Sequence, residues 1–171
     1  IFSNFMNARR WIHASPGLFQ FDITNPLASG RKECIRAIEE SAAYVSYGHM
    51  KIIESLTGRT FNEIVFTGGA SKGTLWPQVL ADVLNCAVKV PVVKESTSLG
   101  AALYAGLGAG VYQDLAAVAR GIASFEKTYE PDPAAHQVYE RLYEQWSAIY
   151  QRSLAMVEEG LVRPLWRAAG T

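Results

Sequence analysis

The chain has 171 residues, of which 49% are hydrophobic and 19% charged, an ordinary globular composition sufficient for one core. Lys plus Arg and Asp plus Glu each total 16, so no net field is available to hold the chain on a nucleic acid or an anionic membrane. No apolar run approaches the roughly 20 residues of a membrane helix and no targeting segment opens the chain, which predicts a soluble, cytoplasmic protein.

Ile1 to Phe5 and Gly17 to Ile23 are short apolar stretches that predict strands, separated by the basic loop Asn7-Ala8-Arg9-Arg10-Trp11 and by Pro16-Gly17. With Ile1 already reading as the end of a strand, the chain looks entered in mid-fold. From Arg31 to Thr57 the residues Ile35, Ile38, Ala42, Val45, Ile52 and Leu56 recur at helical spacing, and Gly58 supplies a stop. Glu63 to Thr67 predicts a strand that ends in Gly68-Gly69. Trp76, Leu80, Val83 and Leu84 then resume helical spacing, with Pro77 tolerated in the first turn. Val88 to Pro91 predicts another strand, followed by a helix through Leu99, Leu103 and Leu107 that Thr97 or Ser98 would cap. Strands alternating with helices predict an α/β layer with parallel pairing, and Gly100, Ala101, Ala105, Gly106 and Gly108 would let the helix over them pack closely. Asp114 to Ile122 predicts a short helix. Residues 132–159 predict a long C-terminal one, capped at Asp132-Pro133, whose stripe through Tyr139, Tyr143, Trp146 and Tyr150 must lie on the domain or on a second copy of the chain. Cys34 and Cys86 make no disulfide framework. With His13, His49 and His136 scattered, no metal-ligand spacing appears, so both thiols read as free and buried and His13 and His49 as structural.

Chemistry concentrates in Phe66-Thr67-Gly68-Gly69-Ala70-Ser71-Lys72-Gly73-Thr74-Leu75-Trp76. A strand that ends in glycines and enters a helix leaves unpaired N–H groups where an anion or nucleotide can approach without a Cβ in the way. A tight turn with no ligand would use the same glycines. Gly68 and Gly73 have P-loop spacing, but Thr74 follows Gly73 where that motif needs lysine, so the reading fails. Gly69 to Gly73 also satisfies G-x-S-x-G, the nucleophile elbow of α/β-hydrolases, with Ser71 as nucleophile and Asp114 or Asp132 and His136 following in order. Against this rival, neither an oxyanion-donor loop nor enough strands precede Ser71.

Phe66 to Ala70, Leu75-Trp76, Leu80 to Leu84, Val88 to Pro91 and Glu95 to Ala102 resemble, in order and spacing, the C-terminal half of the FGGY carbohydrate kinases. Gly17 to Asp22 with Glu33 and Arg36 to Glu40 resembles the family's second signature in part; Phe21 stands where glycine is usual, and the gap to Glu33 is long. Residues 6–16 and 165–170 resemble one branch of the family, whose small carbonyl-bearing substrate is phosphorylated on a primary hydroxyl.

The resemblance implies an actin-like ATPase (ribonuclease H-like) fold, with residues 1–171 forming part of the C-terminal lobe of a two-lobe sugar kinase. The N-terminal lobe and the start of this one would lie outside the segment. ATP, with Mg²⁺, and a sugar-like substrate would occupy the cleft between the lobes, and the N-terminal lobe of the same protein would be the partner. Gly68, Gly69, Ala70, Ser71 and Gly73 match the family's nucleotide-contacting loop, Gly73 through its backbone only. The catalytic aspartate of the family lies upstream of the matched region, so no catalytic residue is expected here, and the segment alone is expected to transfer no phosphate. A kinase of a pentulose or other polyol, and a free-standing nucleotide-binding or homodimerising module, are the other readings. Arg9, Arg10, Trp11 and Lys72 could reach a phosphate or face solvent, and Glu95 could serve only the helix that follows it.

Overall fold

The computed structural model describes residues 12–167 and Gly170. The strand expected at Ile1 to Phe5, the basic loop through Arg9, Arg10 and Trp11, and Ala168 and Ala169 lie outside the described residues. Strand β1 (Ile12–His13) pairs antiparallel with β5 (Trp166–Arg167), which joins the two ends of the described chain. The strand expected over Gly17 to Ile23 does not form. Instead the Asp22 carboxylate accepts hydrogen bonds from the Thr24 and Asn25 amides at 2.9 and 3.1 Å and from the Thr24 hydroxyl at 2.6 Å. This side-chain turn competes with any ladder and leads into a 3-10 turn at Pro26–Ser29.

Helix α1 (Arg31–Thr57) ends where glycine permits it, with Gly58 at φ 66° and its amide donating to the Glu54 carbonyl. The helix buries a face other than the expected one. Ser41, Ala43, Tyr44, Tyr47 and Gly48 turn inward, while Ile35 and Leu56 are 58% and 80% exposed. The two tyrosines offer more area to the aromatic residues opposite than the isoleucine row does.

Strand β2 (Glu63–Val65) lies parallel to β3 (Ala87–Pro91), in register from Glu63 opposite Ala87 to Val65 opposite Lys89. A third strand that the sequence reading missed, β4 (Phe125–Tyr129), runs antiparallel on the far side of β3. Helix α2 (Leu75–Leu84) connects β2 to β3. It is buried along most of its length, lying between α1, the sheet and α5 (Pro133–Glu158). The alternating Val88 and Val90 of β3 point into this layer.

The long helix α5 begins as expected: the Asp132 carboxylate accepts from the Ala134 amide at 2.8 Å, with Pro133 following. Its aromatic stripe is spent within the chain. Trp146 stacks on Tyr150 at 5.3 Å and 2°, and the Trp146 indole N–H donates to the Ser41 hydroxyl of α1 at 3.2 Å. Tyr44 of α1 meets Tyr139, Tyr143 and Trp146 at 5.8–6.3 Å. Stacked and edge-on aromatic pairs of this kind contribute about 0.5–1.5 kcal/mol each beyond the area they bury.

The opposite face of the sheet is thinly covered by α3 (Ser96–Gly108) and α4 (Leu115–Ile122), neither of which contains a fully buried residue. Helix α3 starts one or two residues before the expected Thr97 or Ser98, with Glu95 preceding it and no side-chain cap. Of its small residues, Gly106 has a steric reason. The Tyr112 ring would lie 2.7–2.8 Å from a Cβ there, because its hydroxyl reaches back to donate to the Leu103 carbonyl. Between this pair of helices and the sheet lies an apolar cleft of about 240 Å³ lined by Val65, Pro91, Val93, Leu99, Leu103 and Ile122.

Candidate functional site

Parallel neighbours deliver the segments that follow them to the same end of the sheet. What leaves β2 at Phe66 therefore meets what leaves β3 at Val92, and the glycine loop sits against the β3–α3 connection. Gly68 has φ 86° and ψ −171°, a conformation open essentially to glycine alone. Its amide donates to the Lys94 carbonyl at 2.9 Å. Its own carbonyl accepts twice from Ser71, from the amide at 3.2 Å and from the hydroxyl at 2.7 Å. Gly69–Lys72 then forms one 3-10 turn, and α2 starts at Leu75 with no side-chain cap on its first amides.

The five loop residues expected at a nucleotide are brought together, but in different roles. Gly69 and Gly73 are exposed, and a Cβ built on either meets no atom within 4 Å. Gly68 and Ala70 are half-buried. Ser71 is only 3% exposed, with its hydroxyl turned back onto the Gly68 carbonyl. Its side chain serves the loop.

The same burial disposes of the hydrolase reading. A nucleophile elbow presents its serine outward to a histidine. Here His136 Nδ1 instead lies 3.0 Å from the Asp82 carbonyl near the far end of α2, and the His136 ring meets Tyr47 edge-on. Asp132 caps α5, and Asp114 caps α4 by accepting from the Ala117 amide at 2.9 Å. None of the three acts on Ser71.

Three successive residues, two at the end of the β3–α3 connection and one at the start of α3, touch the loop. Lys94 does so through its carbonyl, Glu95 accepts an ion pair from Lys72 at 3.3 Å, and the Ser96 hydroxyl lies 2.8 Å from that of Thr67. Lys94 is itself anchored to Glu126 of β4 at 2.6 Å. Sequence reading did not find this junction. Thr67 and Ser96 are 29 residues apart and no spacing rule links them; the only available signal was the parallel β2–β3 pairing, which places both strand exits at one edge. Among the described residues no three His, Cys, Asp or Glu side chains come together to hold a metal ion, and no helix is long and apolar enough to cross a membrane. Both thiols are free; Cys86 is buried and Cys34 half-buried.

Comparison with known proteins gives this arrangement its family. The autoinducer-2 kinase of Klebsiella pneumoniae subsp. pneumoniae is 39% identical over 170 residues, which cover 99% of this chain and 32% of that protein. The chain thus spans about a third of the length of the curated relatives it matches. The ligand-bound xylulose kinase of Lactobacillus acidophilus superposes with a TM-score of 0.62 at 24% identity, over 78% of this chain and 26% of that one. The glycerol kinase of Plasmodium falciparum, solved with ADP, superposes with a TM-score of 0.60 at 23% identity, over 82% and 27%. These two likenesses show the fold, an α/β piece consistent with the actin-like ATPase architecture. Residues 3–109 match the model described as the FGGY family of carbohydrate kinases, C-terminal domain, and the chain belongs to that family.

Proposed function

We propose that the full-length protein is an ATP-dependent kinase that phosphorylates a primary hydroxyl of autoinducer-2 (4,5-dihydroxy-2,3-pentanedione), and that this chain contributes the nucleotide-facing part of its C-terminal lobe. The observation that carries the reading is the glycine loop at the exits of parallel β2 and β3, gripped from one side and bare at Gly69 and Gly73 on the other. Phosphoryl transfer depends on positioning and on electrostatic stabilisation, so a rigid loop with open backbone N–H groups is a useful contribution from one lobe. Gly69 makes the closest approach to the nucleotide, Gly68 and Ala70 shape the turn, Gly73 adds its backbone, and Ser71 holds the loop from behind.

The proton acceptor for the substrate hydroxyl comes from the part of the protein outside this segment. Magnesium, which such reactions take together with the nucleotide phosphates, finds no cage of three carboxylate or imidazole ligands among the described residues. In our reading it arrives with ATP. The second face of the sheet supports the idea of a partner lobe within the same protein. Hydrogen-bonding groups alternate along a strand, and Phe66 donates to the Lys89 carbonyl, so Glu63 and Val65 turn theirs toward the β2 edge, which no described strand occupies. Because α5 is spent on α1 and α2, this edge and the cleft beside it, rather than α5, are the surface offered to the rest of the kinase.

The test is phosphorylation by the full-length gene product, whose intact mass is expected to exceed the 18.8 kDa of this chain by several tens of kilodaltons. Transfer of the ATP γ-phosphate to the dione in preference to a panel of pentuloses is the expected result. A preferred pentulose would replace the substrate and keep the kinase, whereas no ATP-dependent transfer to any polyol would end the reading. The purified 171-residue segment is expected to transfer none.

A further inference from the structure

We propose that Thr67 and Ser96 are positioning residues for the nucleotide: their paired hydroxyls clamp the glycine loop to the β3–α3 connection and set where the Gly69–Gly73 backbone meets ATP. The inference rests on the nucleotide reading of that loop and extends it to residues that touch no ligand. The loop has one bare side and one gripped side. On the bare side, a Cβ at Gly69 or Gly73 meets nothing within 4 Å. On the gripped side, the Thr67 and Ser96 hydroxyls lie 2.8 Å apart, and the next residue, Gly68, donates to the Lys94 carbonyl at 2.9 Å.

The clamp does not float. Lys94 is mostly buried and paired with Glu126 of β4 at 2.6 Å, so the connection that grips the loop is tied to the sheet across three strands. The remaining contact, Lys72 with Glu95, joins two well-exposed side chains at 3.3 Å and is screened by solvent. Of the three links, the backbone bond at Gly68 cannot be removed without also distorting the loop, because only proline lacks the N–H and it cannot adopt φ 86°, and the ion pair is weak. The hydroxyl pair is therefore the adjustable one. Because it is exposed to water, its loss changes stability little. A displacement of the loop is another matter, since misplacing a reacting group by about 1 Å can cost on the order of a hundredfold in rate.

The experiment uses the full-length kinase with Thr67→Val, Ser96→Ala, the double variant and Thr67→Ser. Thr67→Val and Ser96→Ala are each expected to raise KM for ATP by roughly three- to tenfold, leaving KM for the sugar-like substrate and the melting temperature near wild type. The double variant is expected to match the single ones, because either change breaks the same pair. Thr67→Ser keeps the hydroxyl and should restore KM for ATP. An unchanged KM for ATP in both single variants overturns the proposal, and so does a parallel rise in both KM values with a fall in melting temperature. Gly69→Ala, assayed alongside, separates the nucleotide loop from the clamp: raised KM for ATP there with normal values in Thr67→Val and Ser96→Ala refutes the clamp alone. A wild-type enzyme with no ATP-dependent turnover refutes the nucleotide reading and the clamp with it.

Discussion

Adjacent glycines in the loop have opposite reasons to be glycine, and alanine substitutions in the full-length protein separate them. Gly68 sits at φ 86° and ψ −171°, where a Cβ is strained whatever space surrounds it. Holding a non-glycine residue in that region costs on the order of 1–3 kcal/mol. At about 2–4 °C per kcal/mol for a domain of roughly 150–250 residues, Gly68→Ala is expected to lower the melting transition of this lobe by several degrees. Gly69 lies in a 3-10 turn with φ outside the left-handed region, and a Cβ added there meets nothing within 4 Å. Its substitution by alanine should therefore move stability by less than about 0.5 kcal/mol. The new methyl would instead project into the open space beside the loop, where the proposed function puts the nucleotide. A loss of about 1.4 kcal/mol in binding corresponds to a tenfold weaker interaction. The assay pairs differential scanning fluorimetry with KM for ATP: Gly68→Ala should shift the first and Gly69→Ala the second. If Gly69→Ala melted as early as Gly68→Ala, or left KM for ATP unchanged, the assignment of the bare side of the loop to the nucleotide would be refuted.

Trp146→Ala removes the ring that stacks on Tyr150 and donates to Ser41, and a loss of about 3–5 kcal/mol is expected in denaturant unfolding; a change under about 1 kcal/mol would contradict the aromatic core. Burial, with a lesser contribution from Glu54, pushes the Cys86 thiol up to about 11, and the thiolate is the reactive form. Iodoacetamide at pH 8 should leave Cys86 unmodified by peptide mass spectrometry until the protein is unfolded, and rapid labelling of the native state would refute its burial. Burial also pushes the Tyr150 phenol up to about 12 from an ordinary 10, with Tyr44, Tyr139 and Tyr143 shifted in the same direction. Between those values the unfolded chain releases protons that the folded one retains. Stability is thus complete below about pH 10 and falls as pH rises toward 12. Denaturation midpoints measured at pH 9, 10 and 11 should be level and then drop, and a midpoint constant to pH 12 would refute the linkage.

Much of the backbone could be read from local chemistry. Gly58 stopping α1, Asp132-Pro133 opening α5, Asp114 opening α4 and the glycine turn after β2 are each decided by a few neighbouring residues, and each stands where expected. Failures came where long-range packing outweighs local pattern. Phe125 to Tyr129 lacks clean alternation, and its pairing with β3 decides that it is a strand. In α1 the isoleucine row has the better helical period, yet the buried face is the tyrosine one, because α5 sets Trp146 and Tyr143 against it. Ser71 marks the limit for the site. Gly69, Ala70, Ser71 and Gly73 belong to both a nucleophile elbow and a ligand loop, and the inward turn of the Ser71 hydroxyl onto Gly68, with His136 held elsewhere, separates the two chemistries.

The two faces of the sheet carry different burdens. On one, α1, α2 and α5 close over Val88 and Val90 with an aromatic layer in which nearly every large ring finds another. On the other, Val65 is 54% exposed, the apolar cleft opens beside it, and α3 and α4 bury no residue fully. A sheet face this apolar, next to a strand edge that no described strand occupies, invites cover by further protein. The glycine loop sits at the junction of the two faces: its strand and the helix after it belong to the finished layer, while Thr67 and Ser96 border the open cleft. Any segment that seats in that cleft bears directly on the hydroxyl pair behind the loop. The variants at Thr67 and Ser96 therefore belong in the full-length protein, where whatever covers the cleft is present.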